Sequence, residues 1–172
     1  MERVVVIGNS GGGKSVLSRQ LAAKLQLPYI DVDSILWLPG WQIVPAEAYQ
    51  SEHSRLIAQE RWLIDGLGMP DSIPSRLARA TDVVLIDMPL WMHFWLAAER
   101  QIRWTAGQLP HPPGGFSEPP PTHGLFKTIW EVDRDWMPEI RSLVGHEETR
   151  GKRIFRLASV EDLDGFLSRP DL

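Results

Sequence analysis

Apolar residues along this chain gather in short unbroken runs bounded by polar or turn-forming residues. Val4-Val5-Val6-Ile7 is the first, and it predicts a strand from Arg3 to Ile7. Pro28 to Asp31, Arg61 to Asp65, Asp82 to Asp87 and Lys152 to Leu157 predict four more. Runs that stay apolar on both side-chain phases suit strands buried on both faces, as in a parallel sheet. Leu17, Leu21 and Leu25 recur at the spacing of one helix face, which predicts a helix from Lys14 to about Leu25. Helical patterns between the other strands imply right-handed crossovers. The expected fold is therefore α/β, a parallel sheet between two layers of helices, with ligands gathering at the carboxyl ends of the strands. Asp31, Asp65 and Asp87 all fall at such ends.

One stretch breaks the pattern. Residues 105–124 hold Gly107, Pro110, Pro112, Pro113, Gly114, Gly115, Pro119, Pro120 and Pro121, a density that neither a helix nor a central strand accepts. A long irregular insertion of this kind is a candidate functional element. Trp91 and Trp95 stand four residues apart, where one helix face would bury both. Core packing is the expected role for most of the eight tryptophans, with base stacking as the alternative.

The 172 residues suit a single domain, 1–172. A net charge of -4 argues against a surface built to neutralise nucleic-acid phosphates, and so against direct DNA binding. The absence of cysteine excludes disulfides and thiolate metal sites and fits a cytoplasmic protein. The first apolar run is too short for a signal peptide. The longest later one, Val83 to Ala98, is broken by Asp87, Pro89 and His93, so no membrane span is expected.

Directly after the first strand comes Gly8-Asn9-Ser10-Gly11-Gly12-Gly13-Lys14-Ser15, which spells G-x-x-x-x-G-K-S. Glycines allow backbone N–H groups to converge on phosphate oxygens, and the opening helix adds its positive end. Lys14 would reach the β- and γ-phosphates of ATP, and Ser15 would offer its hydroxyl to Mg²⁺. Asp65 is the candidate for the second group on the magnesium side, held through water; the alternative is an Asp-Gly turn. Asp87 competes for that role or helps to start the next helix. Asp33 either orients an acceptor hydroxyl or caps a short helix. Arg76, Arg100, Arg103, Arg134 and Arg141 are candidates to cover transferring charge, with Arg100 preferred because it closes the helix before the irregular stretch. His111 and His123 flank the Pro-rich stretch, and two histidines without cysteine make a poor zinc site.

The order of these pieces resembles the adenylate-kinase-like branch of P-loop kinases, and within it the bacterial DNA topology modulation (FlaR-type) family. The residues that carry the likeness are Gly8 to Ser15, Leu36-Trp37-Leu38-Pro39-Gly40-Trp41, Trp62 to Gly66, Arg76-Leu77 and Leu85 to Pro89. The resemblance implies the three-layer P-loop NTPase fold, a five-stranded parallel sheet of order 2-3-1-4-5, an acceptor flank after strand two and a lid after strand four. Residues 105–124 would be that lid. It also implies an ATP-dependent, Mg-dependent phosphotransferase acting on a nucleotide or other small-molecule acceptor, with Lys14, Asp33, Arg100 and Arg134 catalytic. The Asp65-Gly66 pair matches the family's Asp-Gly and favours Asp65 over Asp87. The chain departs from the pattern in the lid, where no Lys or Arg occurs between Arg103 and Lys127. Asp135 and Met137 stand where arginines are expected, leaving Arg134 as the nearby substitute, and Val16 replaces a second hydroxyl after Ser15. A nucleotide-binding regulatory protein with little kinase activity is the second reading.

Overall fold

Val4 and Val6 face one apolar layer and Val5 and Ile7 the other, because successive side chains of a strand point to opposite faces. Both layers are buried, which is why β1 (Arg3–Gly8) is apolar from Val4 to Ile7 after its half-buried Arg3. The computed structural model describes residues 1–112, 116–170 and 172. Pro113, Gly114 and Gly115 of the Pro/Gly-rich stretch therefore lie outside the described residues.

After β1 the chain forms α1 (Lys14–Leu25), β2 (Tyr29–Asp31), α2 (Asp33–Leu36), β3 (Trp37–Leu38), β4 (Gln42–Ile43) and α3 (Ala46–Ile57). It continues through β5 (Trp62–Asp65), α4 (Ile73–Arg79), β6 (Asp82–Ile86), α5 (Leu90–Thr105) and α6 (Thr122–Glu131). It closes with α7 (Met137–Thr149), β7 (Arg153–Leu157) and α8 (Val160–Phe166). The main sheet has the order β2-β5-β1-β6-β7, with every pairing parallel. β3 and β4 form a separate antiparallel hairpin. They shift the strand numbers but not the arrangement: counted along the main sheet alone, the order is second, third, first, fourth, fifth.

One face of the sheet is covered by α4 and α7, through Ile73, Leu77, Met137, Ile140 and Val144. The other is covered by α1 and α8, through Leu17, Leu21 and Phe166. Register then places the site. Gly8 lies beside Ile86, Asp65 beside Val6, and Asp31 beside Asp65, so the phosphate loop and two acids share the carboxyl edge.

The expectation for Trp91 and Trp95 is corrected. They are 62% and 67% exposed, because α5 turns a different face inward, that of His93, Ala97, Gln101 and Trp104. That face packs under the Gly-rich loop so closely that a Cβ on Gly11 would lie 2.6 Å from the His93 carbonyl oxygen. An indole at position 93 or 97 has no room beneath Gly11. The general expectation of buried tryptophans is corrected with it: Trp62 and Trp104 are buried, while Trp130 is exposed like Trp91 and Trp95. α6 passes into α7 through a wide π-type turn, Val132–Trp136, which buries Val132. Among the described residues no helix is long and apolar enough to cross a membrane.

Candidate active site

The loop from Gly8 to Ser15 is shaped by contacts that exclude side chains. Gly8 runs so close to β6 that a Cβ would lie 2.3 Å from the Ile86 carbonyl oxygen. Gly13 opens α1 with φ of 76°, a left-handed conformation that favours glycine. The loop is also anchored from below. The buried Asn9 amide donates to the Ile129 carbonyl of α6 at 2.8 Å, and its own oxygen accepts from the Ser10 N–H at 2.7 Å. His93 of α5 holds the Ser10 carbonyl through Nδ1 at 3.0 Å. The Lys14 ammonium folds across the loop and donates to the Asn9 carbonyl at 2.7 Å.

The loop forms one wall of a cavity of about 620 Å³. Asp65, Asp33 and Arg100 line it together with Lys14 and Ser15. Asp65 is buried; its Oδ2 accepts from the Tyr29 hydroxyl at 3.1 Å, while its Oδ1 has no hydrogen bond within 3.5 Å, with the Ser15 side chain near enough to favour the carboxylate. A buried carboxylate oxygen left open costs stability unless something else meets it. Burial pushes the Asp65 carboxyl up, against the pull of Lys14, and burial pushes the Lys14 ammonium down, against the pull of Asp65 and Asp33. Burial, reinforced by the neighbouring Asp31 and opposed by Lys14, pushes Asp33 up to about 7. Asp31 also braces the turn, since its Oδ1 accepts from the Asp33 N–H at 2.9 Å. Asp33 is thus the first residue of α2 rather than its cap.

These residues fit a Mg-nucleotide. The glycine cradle leaves the space that phosphates need, and the open Asp65 Oδ1 can accept from a metal-bound water beside the Ser15 hydroxyl. Mg²⁺ characteristically takes one or two protein oxygens and completes its shell with phosphate and water. The described residues contain no group of three or more His, Cys, Asp or Glu arranged to hold a metal by themselves.

The arginines separate sharply. Arg100 lines the cavity with its Nε buried and without a partner; burial lowers its pKa and Asp33 raises it. It does not close its helix, which runs on to Thr105. Arg103 also lines the cavity but is paired with Glu99 at 2.7 Å. Arg134 does not join them. It is exposed, pairs with Asp135 and lies over the Trp130 ring at 4.3 Å, outside the cavity wall. Arg76 is buried and donates to the carbonyls of Gly66 and Leu67 at 3.0 and 2.8 Å, bracing the turn after Asp65. Arg141 forks onto Asp87, with contacts of 2.7 to 3.1 Å, and Asp87 does not line the cavity.

The aromatic wall is the part that sequence reasoning found only in part. Trp37 and Trp41 of the hairpin region, expected as an acceptor flank, line the cavity, and Trp104 and Trp136 line it too. Trp104 lies one helical turn beyond Arg100, so helical spacing was the signal that could have found it. The hairpin also meets the irregular stretch. Trp41 packs against Phe116 with ring centres 4.5 Å apart, and the Trp104 indole donates to the Ser117 carbonyl at 3.1 Å. Gln101 donates to the Pro120 carbonyl at 2.8 Å. His111 lines the cavity.

No protein-family model and no curated protein matches the chain. Among solved structures, the shikimate kinase of Acinetobacter baumannii in complex with shikimate aligns over 92% of this chain and 84% of its own, with a TM-score of 0.56 at 12% identity. The shikimate kinase of Aquifex aeolicus aligns over 96% of this chain and 94% of its own, with a TM-score of 0.51 at 16% identity. The chain therefore shares the fold of these two shikimate kinases.

Proposed function

We propose that this chain is an ATP-dependent kinase that moves the γ-phosphoryl group of ATP to a hydroxyl of a small acceptor. The observation that carries the reading is one cavity shared by the Gly8–Ser15 loop, the open Oδ1 of Asp65, and Asp33 beside Arg100. The loop amides and Lys14 bind the phosphates. Ser15 and Asp65 hold Mg²⁺, which when bound neutralises phosphate charge. Asp33 accepts the acceptor's hydroxyl proton as the new oxygen–phosphorus bond forms; the bond from the γ-phosphorus to the β-bridging oxygen breaks and ADP leaves. Arg100 stabilises the charge spread over the transferring group, a role in which one arginine can supply on the order of 10³-fold in rate. The stretch 105–124 serves as the lid, and the ATP requirement together with the lack of cysteine suits the cytoplasm.

The decisive experiment is ADP release from Mg-ATP across a panel of nucleosides, nucleotides, sugars and hydroxy acids, on wild type and Lys14→Ala. Acceptor-dependent release by wild type, with Lys14→Ala at least ~100-fold slower and weaker for ATP, is the expected result. Unchanged ATP affinity and turnover in Lys14→Ala would sink the reading. A second reading is a nucleotide-binding regulatory protein akin to the DNA topology modulation family. It is favoured by the placement of Arg134 outside the cavity and by the lack of Lys and Arg between Arg103 and Lys127. Tight ATP binding with no transfer to any acceptor would select it. Direct contact with DNA has no support in a chain of net charge -4, and a steep salt dependence of duplex affinity would show otherwise.

A further inference from the structure

The helix α5 has two faces of different character. Its inner face, His93, Ala97, Gln101 and Trp104, is buried. Its outer face is a seam of uncharged residues three and four positions apart: Trp91, Trp95, Ala98, Ile102 and Thr105. That spacing keeps to one side of a helix, the pattern by which paired helices meet. Trp91, Trp95 and Ile102 are 62%, 67% and 71% exposed, and no other part of the described chain covers them.

The three side chains leave on the order of 400 Å² of apolar surface open, since an aromatic side chain offers roughly 150–250 Å². This is about half of the ~800 Å² that each partner of a stable interface buries. The remainder lies beside it. An open apolar groove of about 500 Å³ runs between α5 and α6, lined by Ala98, Ile102 and Thr105 on one side and by Thr122 and Phe126 on the other. Charge does not oppose pairing, because no seam position is charged and the neighbouring Glu99 is paired with Arg103 at 2.7 Å. A lipid surface is the poorer fit. Interfacial helices flank their aromatic face with free Lys and Arg, whereas the cations of α5 are Arg103, in that pair, and Arg100, on the cavity wall.

The seam is also complementary to itself. Ala98 is its middle and smallest residue, the place where two helices can cross closely. When two copies of α5 cross there antiparallel about a two-fold axis, Trp91 of one copy meets Thr105 of the other, each seven residues from Ala98. Trp95 likewise meets Gln101 and Ile102. The indoles of each copy then face the groove of the other, and every contact occurs twice, as a closed isologous pair requires. Arg100 stands about 200° round the helix from Ala98, so pairing leaves both cavities open.

We propose that the protein is a symmetric dimer whose interface is the outer face of α5, with a second copy of this chain seated on Trp91, Trp95, Ala98 and Ile102. A second copy is the partner because the projecting indoles and the groove that receives them lie at positions related by one two-fold axis. The test is sedimentation of the full chain at tens of micromolar. Wild type is expected at twice the chain mass. Ala98→Glu and Ala98→Lys each set like charges face to face on the axis and should weaken dimerisation on the order of 100-fold. Mixed in equal amounts, the two variants should recover association to within about tenfold of wild type, because only the mixed dimer opposes unlike charges. Ile102→Glu lies away from the packed side of α5 and should weaken the dimer by about tenfold or more, while urea unfolding of the dissociated chain stays unchanged. A wild type that remains monomeric overturns the proposal, including one that instead binds anionic lipid vesicles with a blue shift of tryptophan fluorescence. So does a dimer undiminished in either Ala98 variant or in Ile102→Glu, or a mixture that associates no better than its components.

Discussion

Asp33 is a carboxyl whose working form is its costly one. Burial and Asp31 hold it protonated up to about pH 7, yet a proton acceptor must be ionised to act. The rate constant kcat/KM should therefore rise with pH toward a midpoint near 7 and level off above it. Asp33→Asn should remove that limb and lower kcat by about 10²-fold or more, while ATP affinity measured by titration stays within a few-fold. A limb that persists in Asp33→Asn would assign it to another group. At this scale the sequence was informative where chemistry and position coincide. Lys14 and Ser15 follow from the spacing of their motif, and Asp65 from its place at the end of an apolar run. Asp87 has the same local credentials as Asp65, and only a partner 54 positions away, Arg141, separates the two. Arg100 and Arg134 are equally basic in the sequence; helix phase turns one into the cavity and leaves the other on the surface over Trp130. Partners so distant leave no trace in local pattern.

Among elements, the phosphate loop is closely coupled to α5. A Cβ on Gly12 would lie 2.9 Å from Cε1 of His93, and His93 also holds the Ser10 carbonyl. Gly12→Ala should thus destabilise the protein by about 1–3 kcal/mol in urea unfolding and weaken ATP binding at least ~10-fold, because the imidazole or the loop must give way. His93→Ala clears the closest contact and leaves Ile86 Cγ2 at 3.1 Å. The same Gly12→Ala change made in that background should cost clearly less, a coupling that a double-mutant cycle measures directly. Additive costs would mean that the loop does not lean on α5. The main strands and α1 were legible because each buries a periodic or continuous apolar run. β3 and β4 were not, since two residues per strand carry no periodicity. The π-type turn at Val132–Trp136 was hidden as well: it is a change of hydrogen-bond register inside a continuous helical pattern. Trp91 and Trp95 show the limit of reading faces from spacing. Four-residue spacing says that two side chains share a face, and only the crowded underside of the loop decides which face turns inward.

Across the molecule, the buried His53 and the half-buried Asp33 have opposing effects on stability. His53 of α3 is buried, stacks on Tyr49 with ring centres 5.7 Å apart, and leaves its Nε2 without a partner. Burial, with Arg76 nearby, pushes its pKa down to about 4. Between about pH 6.5 and 4 the unfolded chain therefore binds the proton that the folded chain refuses, so this group removes stability as the pH falls, by about 3 kcal/mol at most. Asp33 has the reverse sign. Its folded pKa of about 7 lies above the model carboxyl value of 3.8, so the folded chain holds a proton that the unfolded chain releases. It removes stability as the pH rises through that window, by a few kcal/mol. The two slopes nearly cancel between pH 4 and 6.5, which makes the wild-type response to acid flatter than either group alone would give. Asp33→Asn should uncover the His53 slope, so that its unfolding free energy in urea falls relative to wild type from pH 6.5 to pH 4. His53→Gln should uncover the Asp33 slope, with unfolding free energy rising relative to wild type over the same range. If both variants instead tracked the wild-type curve in parallel, the burial of neither group would control the stability of the fold.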